Sequence, residues 1–385
     1  MSEQERSSDP NPGLSSSGSA GRQAGAARGD ATALSQLNYA LDPYALPPER
    51  QPSEVVEAAE RDVATSRAKG DRKGEAMAMC ELAHAYMGTK QYSKSIEVGR
   101  TALALCRKTG QRIGEGTSIC NLALALREAG EFKEAVTVSR DALRLVREMR
   151  VGGPVEVTLL DCLVTALVEL GQHRTAIRPY EEAIALLERS GDDSLRASLL
   201  FGLAAALQRC RLDEKAAETY RKAAEVYRVA GRTRNEGIMW LNCSRLLLWS
   251  LSKYAETIPA ARRAAEVFNQ TGDSRDEGEA LYYLAQACIG AGKLEDSLAA
   301  ARKSYAIRRD IGDPEDEAMS ALALGAVLVD AGQLGEAIPV NERAAVLFRQ
   351  LGNSEGEHQA LVFLQRARAR MLATPPGRPQ KRRRP

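Results

Sequence analysis

The apolar residues of this chain recur every three or four positions over most of its length, which is the spacing of one buried face of an α-helix. The stretch from Gly110 to Leu145 shows the basic unit: two amphipathic helices joined by the turn Ala129-Gly130-Glu131. The unit returns along the sequence, and glycines mark its start at steps of 40 or 41 residues or a double step: Gly70, Gly110, Gly191, Gly231, Gly272, Gly312 and Gly352, with the missing member expected at Val151-Gly152-Gly153. A fixed period of this size predicts stacked helical hairpins instead of one compact core.

The repeat divides the chain into three parts. Residues 53–372 are predicted to form seven full hairpins between two capping helices, the first from Ser53 to Lys69 and the last from Gly352 to about Leu372. Residues 1–52 are rich in Ser, Gly, Ala and Pro, and residues 373–385 end in a basic run, so both segments are predicted to be disordered. An alternative for residues 31–48, which are mildly apolar, is that they dock on the repeats.

Each predicted hairpin has the same internal pattern. The first helix usually carries a leucine followed by a small residue, and the turn often holds a glycine, for which a positive φ costs little. The second helix carries two small residues, which let helix axes approach closely. The first of these are Ser95, Ala135, Ala176, Ala216, Thr257, Ser297 and Ala337, and the second are Ala102, Ala142, Ala183, Ala223, Ala264, Ser304 and Ala344.

This pattern resembles the tetratricopeptide repeat over residues 53 to about 370. The leucine–alanine pair of the first helix, the turn glycine and the two alanines of the second helix carry the resemblance. The opening Gly70-Asp71 followed by Glu75-Ala76 is similar to a subclass with longer repeats, which includes the Pins-like G-protein-signalling modulators and the kinesin light chains. Shorter repeats of the family have a proline near the end of the second helix, whereas this chain has Arg107, Glu188, Arg228, Arg309 and Arg349 there. We therefore expect longer second helices.

The resemblance implies an all-α fold, a right-handed α-solenoid whose concave face binds extended or helical peptides. Two partner-binding modes of the family do not carry over. Nothing after Leu372 resembles the Gα-binding motifs of the Pins-like proteins, and only Asn121 matches the side chains that clamp chaperone carboxylates in other members. Some long-repeat members hold peptide backbone with an asparagine on the first helix, a position at which this chain has only Asn121 and Asn242.

Charge and composition indicate which kinds of partner and which cellular location to expect. Lys and Arg number 53 against 51 Asp and Glu, and this near balance argues against a nucleic-acid or membrane surface over the whole protein. We find no secretion signal and no apolar run long enough to span a bilayer, so we expect a cytoplasmic protein. Nuclear import through Lys381 to Arg384 is an alternative. The seven cysteines include no C-x-x-C pair, which favours buried packing as their role.

No catalytic or metal-binding pattern emerges from the sequence. His84, His173 and His358 lie in different repeats, without the spacing of a zinc site. The run Gly290 to Lys293 lacks the first glycine and the final Ser or Thr of a phosphate-binding loop. We therefore expect no enzyme activity, no cofactor, no metal and no small-molecule substrate.

The predicted concave face becomes apolar from the fourth hairpin onward, and both tryptophans lie on one helix. Aromatic side chains beside an arginine are typical of a binding hot spot. We therefore predict that the C-terminal half binds an amphipathic or apolar peptide, with Trp249, Tyr282 and Arg245 as anchors. The alternative is that the tryptophan-bearing helix is apolar because it is packed on both sides. The candidate groove residues are Asn121, Phe201, Ile238, Leu241, Asn242, Arg245, Leu248, Trp249, Tyr282 and Gln286.

Three functional hypotheses follow. The first is an adaptor, a scaffold that gathers protein or peptide partners. The second is a regulatory sensor, in which residues 31–48 occupy the groove until a partner displaces them. The third is a polyanion-binding protein acting through its basic tail. Self-association through the groove is a variant of the first, and we expect neither a membrane nor, outside the tail, nucleic acid as a partner.

Overall fold

The computed structural model describes residues 52–150 and 152–373, and the predictions for residues 1–51 and 374–385 lie outside this range. Every regular element in the described range is helical, which confirms the predicted all-α helical-repeat fold. The chain divides into two compact units, Met1–Leu170 and Gly171–Pro385.

The described part of the first unit begins with the lone capping helix and continues as antiparallel hairpins. Consecutive helices pack on each other, and α4 also contacts the first helices of its neighbours, α2 and α6. The helices are α1 (Pro52–Ala68), α2 (Arg72–Gly88), α3 (Tyr92–Thr109), α4 (Arg112–Glu128), α5 (Phe132–Glu148) and α6 (Pro154–Glu169).

The described part of the second unit follows the same plan and ends in a longer helix. Among these residues, α12 contacts α10 and α14, and α14 also contacts α16. The helices are α7 (His173–Ser190), α8 (Asp193–Arg209), α9 (Asp213–Val229), α10 (Thr233–Arg245), a π-helical turn (Leu246–Ser250), α11 (Tyr254–Thr271), α12 (Ser274–Gly290), α13 (Leu294–Ile311), α14 (Pro314–Asp330), α15 (Leu334–Gln350) and α16 (Ser354–Ala373).

The small residues of the second helices are buried as predicted. All fourteen predicted positions are at most 1% exposed. Where the residue is a serine, its hydroxyl also bonds the paired first helix: Ser95 donates to the carbonyl of Ala83 at 2.7 Å, and Ser297 donates to that of Ala285 at 2.8 Å. The helices of each pair therefore meet at residues with little or no side chain between the backbones.

Two of the arginines that replace the proline of shorter repeats link successive repeats. Arg107 Nε donates to Glu115 at 2.9 Å, and Arg349 Nε donates to Glu357 at 2.8 Å. Each pair joins the end of a second helix to the first turn of the next hairpin, eight residues later. At these two positions the second helix ends in an ion pair with the following repeat, whereas Arg228 pairs with Glu225 of its own helix and Arg309 with the adjacent Asp310.

Most turns use glycine in the left-handed region, as at Gly130 with φ of 79°. Four other residues adopt this conformation: Lys90, Arg150, Arg211 and Ser252. Arg150, with φ of 56°, stands 40 residues after Gly110, so it is the missing repeat marker. The marker was predicted one to three residues later, at Val151-Gly152-Gly153, because the repeat that follows Arg150 is one residue longer than the one before it.

Glycine at two of these turns should stabilise the protein. A left-handed backbone costs an ordinary residue roughly 1–2 kcal/mol, while glycine adds unfolded-state entropy. The double substitution Lys90→Gly/Arg211→Gly is expected to raise the free energy of unfolding by about 1 kcal/mol, measured by urea denaturation. Arg140→Gly, at an exposed site inside α5, is the control and should lower it by about 1 kcal/mol. A loss in both variants would refute the strain argument.

Candidate functional site

A cleft of about 400 Å³ opens in the second unit. Its walls are the first helices α12 and α14, the N-terminal half of α16, and the end of α15 with the loop that follows. The lining residues are Tyr282, Gln286, Met319, Leu322, Ala323, Ala326, Phe348, Asn353, Glu355, Gly356, Gln359 and Phe363.

The repeat itself places these side chains together. Tyr282 and Leu322 hold the same position in successive first helices, as do Gln286 and Ala326. Residues at one repeat position line up along one face, because neighbouring hairpins stack in the same orientation. Ala326 is small, which leaves room between the larger side chains on either side.

The end of the cleft depends on a close approach at Gly356. A Cβ at this position would lie 2.6 Å from the ring of Phe348, so only glycine lets the ring pack against the start of α16. The backbone N–H of Gly356 donates to the side chain of Asn353 at 2.9 Å, which caps the helix. These contacts fix Phe348 as the fully buried back wall of the cleft.

The lining of the cleft contains no lysine and no arginine. Glu355 is its one ionisable carboxylate, and Gln359 Nε2 donates to Glu355 Oε1 at 3.4 Å. Gln286 adds a second side-chain amide opposite. The cleft therefore combines an apolar wall with amide groups that can both donate and accept hydrogen bonds.

The ring of Tyr282 packs against the guanidinium of a buried arginine, Arg308. Arg308 is 6% exposed and occupies a repeat position at which the adjacent hairpins have Phe268 and Phe348. Its guanidinium carbon lies 5.2 Å from the centre of the Tyr282 ring, and its nearest carboxylate contact is Asp316 at 3.7 Å. Burial raises the pKa of Tyr282, so the hydroxyl stays protonated and can donate.

Comparison with known proteins identifies the repeat. The tetratricopeptide repeat family matches residues 74–148. Residues 74–148 are tetratricopeptide repeats, and the other described helices continue the same helical-hairpin plan. A signal transduction ATPase with numerous domains and a tetratricopeptide repeat sensor, from Pyrococcus horikoshii, shares the fold at 15% identity and a TM-score of 0.50, covering 87% of this chain and 55% of that one.

Two further structures are similar at lower scores. The apo form of RapI is 13% identical with a TM-score of 0.47, covering 84% of this chain and 98% of that one. A putative kinesin light chain with nearly identical repeats, from Podosopora anserina, is 16% identical with a TM-score of 0.41, covering 52% of this chain and 99% of that one. A search of curated proteins returns no match.

The tetratricopeptide repeat supports a general role in protein–protein interaction, and no enzyme family is indicated. Among the described residues, no group of three or more His, Cys, Asp or Glu side chains is arranged to hold a metal ion. The described helices also include none with the length and apolarity that crossing a bilayer requires.

The structure places two of the predicted groove residues, Tyr282 and Gln286, in the cleft. Trp249 and Phe201 are 57% and 41% exposed but do not line it, and neither does the exposed Arg245. The half-buried residues Ile238, Leu241 and Asn242 also lie outside its lining.

The two remaining candidates are buried. Leu248 is 4% exposed and belongs to the hydrophobic core of the second unit. Asn121 is 1% exposed, and its amide donates to the backbone carbonyl of Cys80 at 3.4 Å, so it does not present a free amide to a peptide. In α4, Thr117 and Leu124 are buried as well. Small residues let α4 approach its neighbours closely.

The exposure of Trp249 has a local cause. Nine positions separate Cys243 from the turn residue Ser252, whereas eight separate Leu284 from Gly292 at the same repeat positions. The extra residue is absorbed as a π-helical turn, in which Leu251 N–H donates to the carbonyl of Leu246 at 3.2 Å. Such insertions are often found at functional positions. The spacing was visible in the sequence and could have predicted the turn.

Sequence reasoning missed the contribution of α16. This helix was predicted only as a capping helix, yet Gln359 and Phe363 from its N-terminal half line the cleft. The signal was present, because Gln359 stands 40 residues after Met319 and Phe363 stands 40 after Ala323.

Proposed function

We propose that this protein is a non-enzymatic scaffold and that the cleft between α12, α14 and α16 binds a segment of a partner protein. The observation that carries the proposal is an accessible apolar wall, including Met319 at 38% exposure, beside the amides of Gln286 and Gln359. Apolar pockets with a few convergent polar groups are the usual form of a binding site.

The chemistry of the cleft defines the kind of segment it accepts. A large apolar side chain would bury against Met319 and Leu322, while the two glutamine amides would bond the peptide backbone. Because no lysine or arginine lines the cleft, a phosphate group or a C-terminal carboxylate would find no cation there. Glu355 would instead favour a basic residue next to the apolar one.

Selection of peptides from a random library on the full-length protein tests this chemistry. We expect the recovered peptides to share a large apolar residue, to be enriched in neighbouring Lys or Arg, and to bind equally well with an amidated C-terminus. Recovery of acidic peptides, or loss of binding on amidation, would contradict the proposed mode.

The sensor hypothesis is the second candidate, because residues 31–48 contain the apolar side chains that the cleft would accept, among them Leu34 and Tyr39. Deleting residues 1–51 is then expected to tighten binding of a selected peptide several-fold, measured by fluorescence anisotropy. An unchanged affinity would contradict the sensor hypothesis and favour the adaptor hypothesis. Cytoplasmic location and the role of the basic tail stay predictions.

A further inference from the structure

A second groove runs between the second helices α7 and α9, with the first helix α8 at its base. It joins two cavities of about 400 and 360 Å³, whose linings share Glu188, Leu200 and Lys222. Its floor is formed by Leu200, Leu203 and Leu207 of α8, which are 7%, 6% and 4% exposed. This groove shares no lining residue with the cleft between α12, α14 and α16.

The two rims of the groove carry opposite charges that do not pair with each other. Elsewhere an arginine of one second helix pairs with a glutamate of the next second helix: Arg100 with Glu134, Arg221 with Glu256, and Arg302 with Glu336. Glu181 of α7 and Lys215 of α9 hold the same two repeat positions with the charges exchanged. Both are exposed, and neither forms an ion pair with another described residue. Both charges are therefore available to a partner.

The lining residues recur at intervals of seven on all three helices. The pairs are Ile177 and Ile184, Glu181 and Glu188, Leu200 and Leu207, Leu212 and Thr219, and Lys215 and Lys222. Seven residues make two turns, so the members of each pair lie on one face of their helix. A helix laid along the groove would therefore meet apolar residues at its base and charged residues at both rims, as in a coiled coil.

We propose that this groove binds an amphipathic helix of a partner protein, with an apolar stripe of heptad spacing, basic residues along one flank and acidic residues along the other. The basic flank would lie against Glu181 and Glu188, and the acidic flank against Lys215 and Lys222. The apolar stripe would cover Leu212, which is 38% exposed. Charges beside the apolar seam of a coiled coil determine its partner and orientation. This site and the peptide cleft are independent proposals.

The dimensions of the groove suit about two heptads. The α9 wall extends from Leu212 to Val226, which is about 21 Å at 1.5 Å per residue. Ala185 on the α7 wall is small and exposed, which leaves the groove open to solvent. Lys222 pairs with Glu218 of its own helix at 2.8 Å, but both side chains are exposed. Such a pair contributes little to stability, so a partner carboxylate can replace Glu218.

Fluorescence anisotropy with a synthetic helix of about three heptads tests the site in the full-length protein. The probe carries Leu at positions a and d, Lys along one flank and Glu along the other. We expect saturable binding of one helix per protein. Glu181→Lys/Glu188→Lys makes both rims basic, so it should bind this probe at least tenfold more weakly and a probe with Glu on both flanks at least tenfold more tightly than the wild type does. The replaced side chains are exposed, so the melting temperature should not change.

Three further variants locate the probe. Ala185→Trp fills the groove and should weaken binding at least tenfold. Ala299→Trp is the matched control, because Ala299 is an exposed alanine of the second helix α13 outside the groove, and it should bind like the wild type. Met319→Glu alters the peptide cleft and should also bind like the wild type.

Four results would overturn the proposal. The first is no saturable binding by the wild type, and the second is equal affinity of Ala185→Trp and Ala299→Trp. The third is a loss of binding in Met319→Glu, which would assign the probe to the cleft. The fourth is a dimer of the protein alone that Ala185→Trp dissociates, which would assign the groove to a second copy of the chain. Binding only after deletion of residues 1–51 would likewise contradict it and assign the groove to that segment.

Discussion

Arg343→Ala is expected to lower the free energy of unfolding by about 3 kcal/mol, a large effect for a half-exposed side chain. Its partner Glu317 is 4% exposed, and the guanidinium donates to both carboxylate oxygens, at 2.9 Å and 3.0 Å. The variant would leave a buried carboxylate without its counter-ion. Breaking one side of such a pair costs far more than the pair contributes, because the desolvation of the remaining charge is no longer offset.

Urea denaturation followed by circular dichroism measures this loss. Arg302→Ala is the matched control. Arg302 of α13 forms an ion pair with Glu336 of α15, but the side chains of both residues are more than 40% exposed. The control should cost less than about 1 kcal/mol. The double variant Arg343→Ala/Glu317→Leu should regain most of the stability. Equal losses for Arg343→Ala and Arg302→Ala would show that burial of Glu317 does not govern the effect.

Tyr282→Ala is expected to lower the free energy of unfolding by about 2 kcal/mol and to weaken peptide binding at least tenfold. The ring forms one wall of the cleft and covers the guanidinium of Arg308, so its removal damages the site and exposes a buried charge. Tyr282→Phe keeps the ring and should retain most of the stability.

The variant Tyr305→Ala distinguishes the loss of stability from the loss of peptide binding. Tyr305 is also half-buried, and Arg309 lies 5.7 Å from its ring centre, but it does not line the cleft. This control should lose stability and keep its affinity for a selected peptide, as measured by calorimetry. If both tyrosine variants lose affinity in proportion to stability, Tyr282 is not a contact residue.

The sequence pattern within one repeat predicted those features of the fold that depend only on residues of that repeat or on the repeat period. The small residues at Ala264 and Ala344 predicted buried contacts, and both are 0% exposed. These features depend on neighbours in sequence or on the repeat period, both of which are visible in one chain.

Features that depend on how repeats pack were not predictable in the same way. Asn121 holds the expected groove position, but the close approach of α2 and α4 turns its amide towards a backbone carbonyl. Phe348 reaches the cleft only because Gly356 lacks a side chain. The Sγ atoms of Cys80 and Cys106 lie 3.9 Å apart, a pairing that the spacing of the cysteines alone does not reveal.

The most direct test of the peptide-binding proposal is the affinity of one selected peptide for three full-length proteins: the wild type, Met319→Glu and Val346→Glu. Met319 and Val346 are similarly exposed, at 38% and 43%, but only Met319 lines the cleft. The account predicts at least tenfold weaker binding by Met319→Glu and unchanged binding by Val346→Glu, with equal melting temperatures. Equal affinity of all three proteins would contradict the peptide-binding proposal and indicate that the peptide binds another surface.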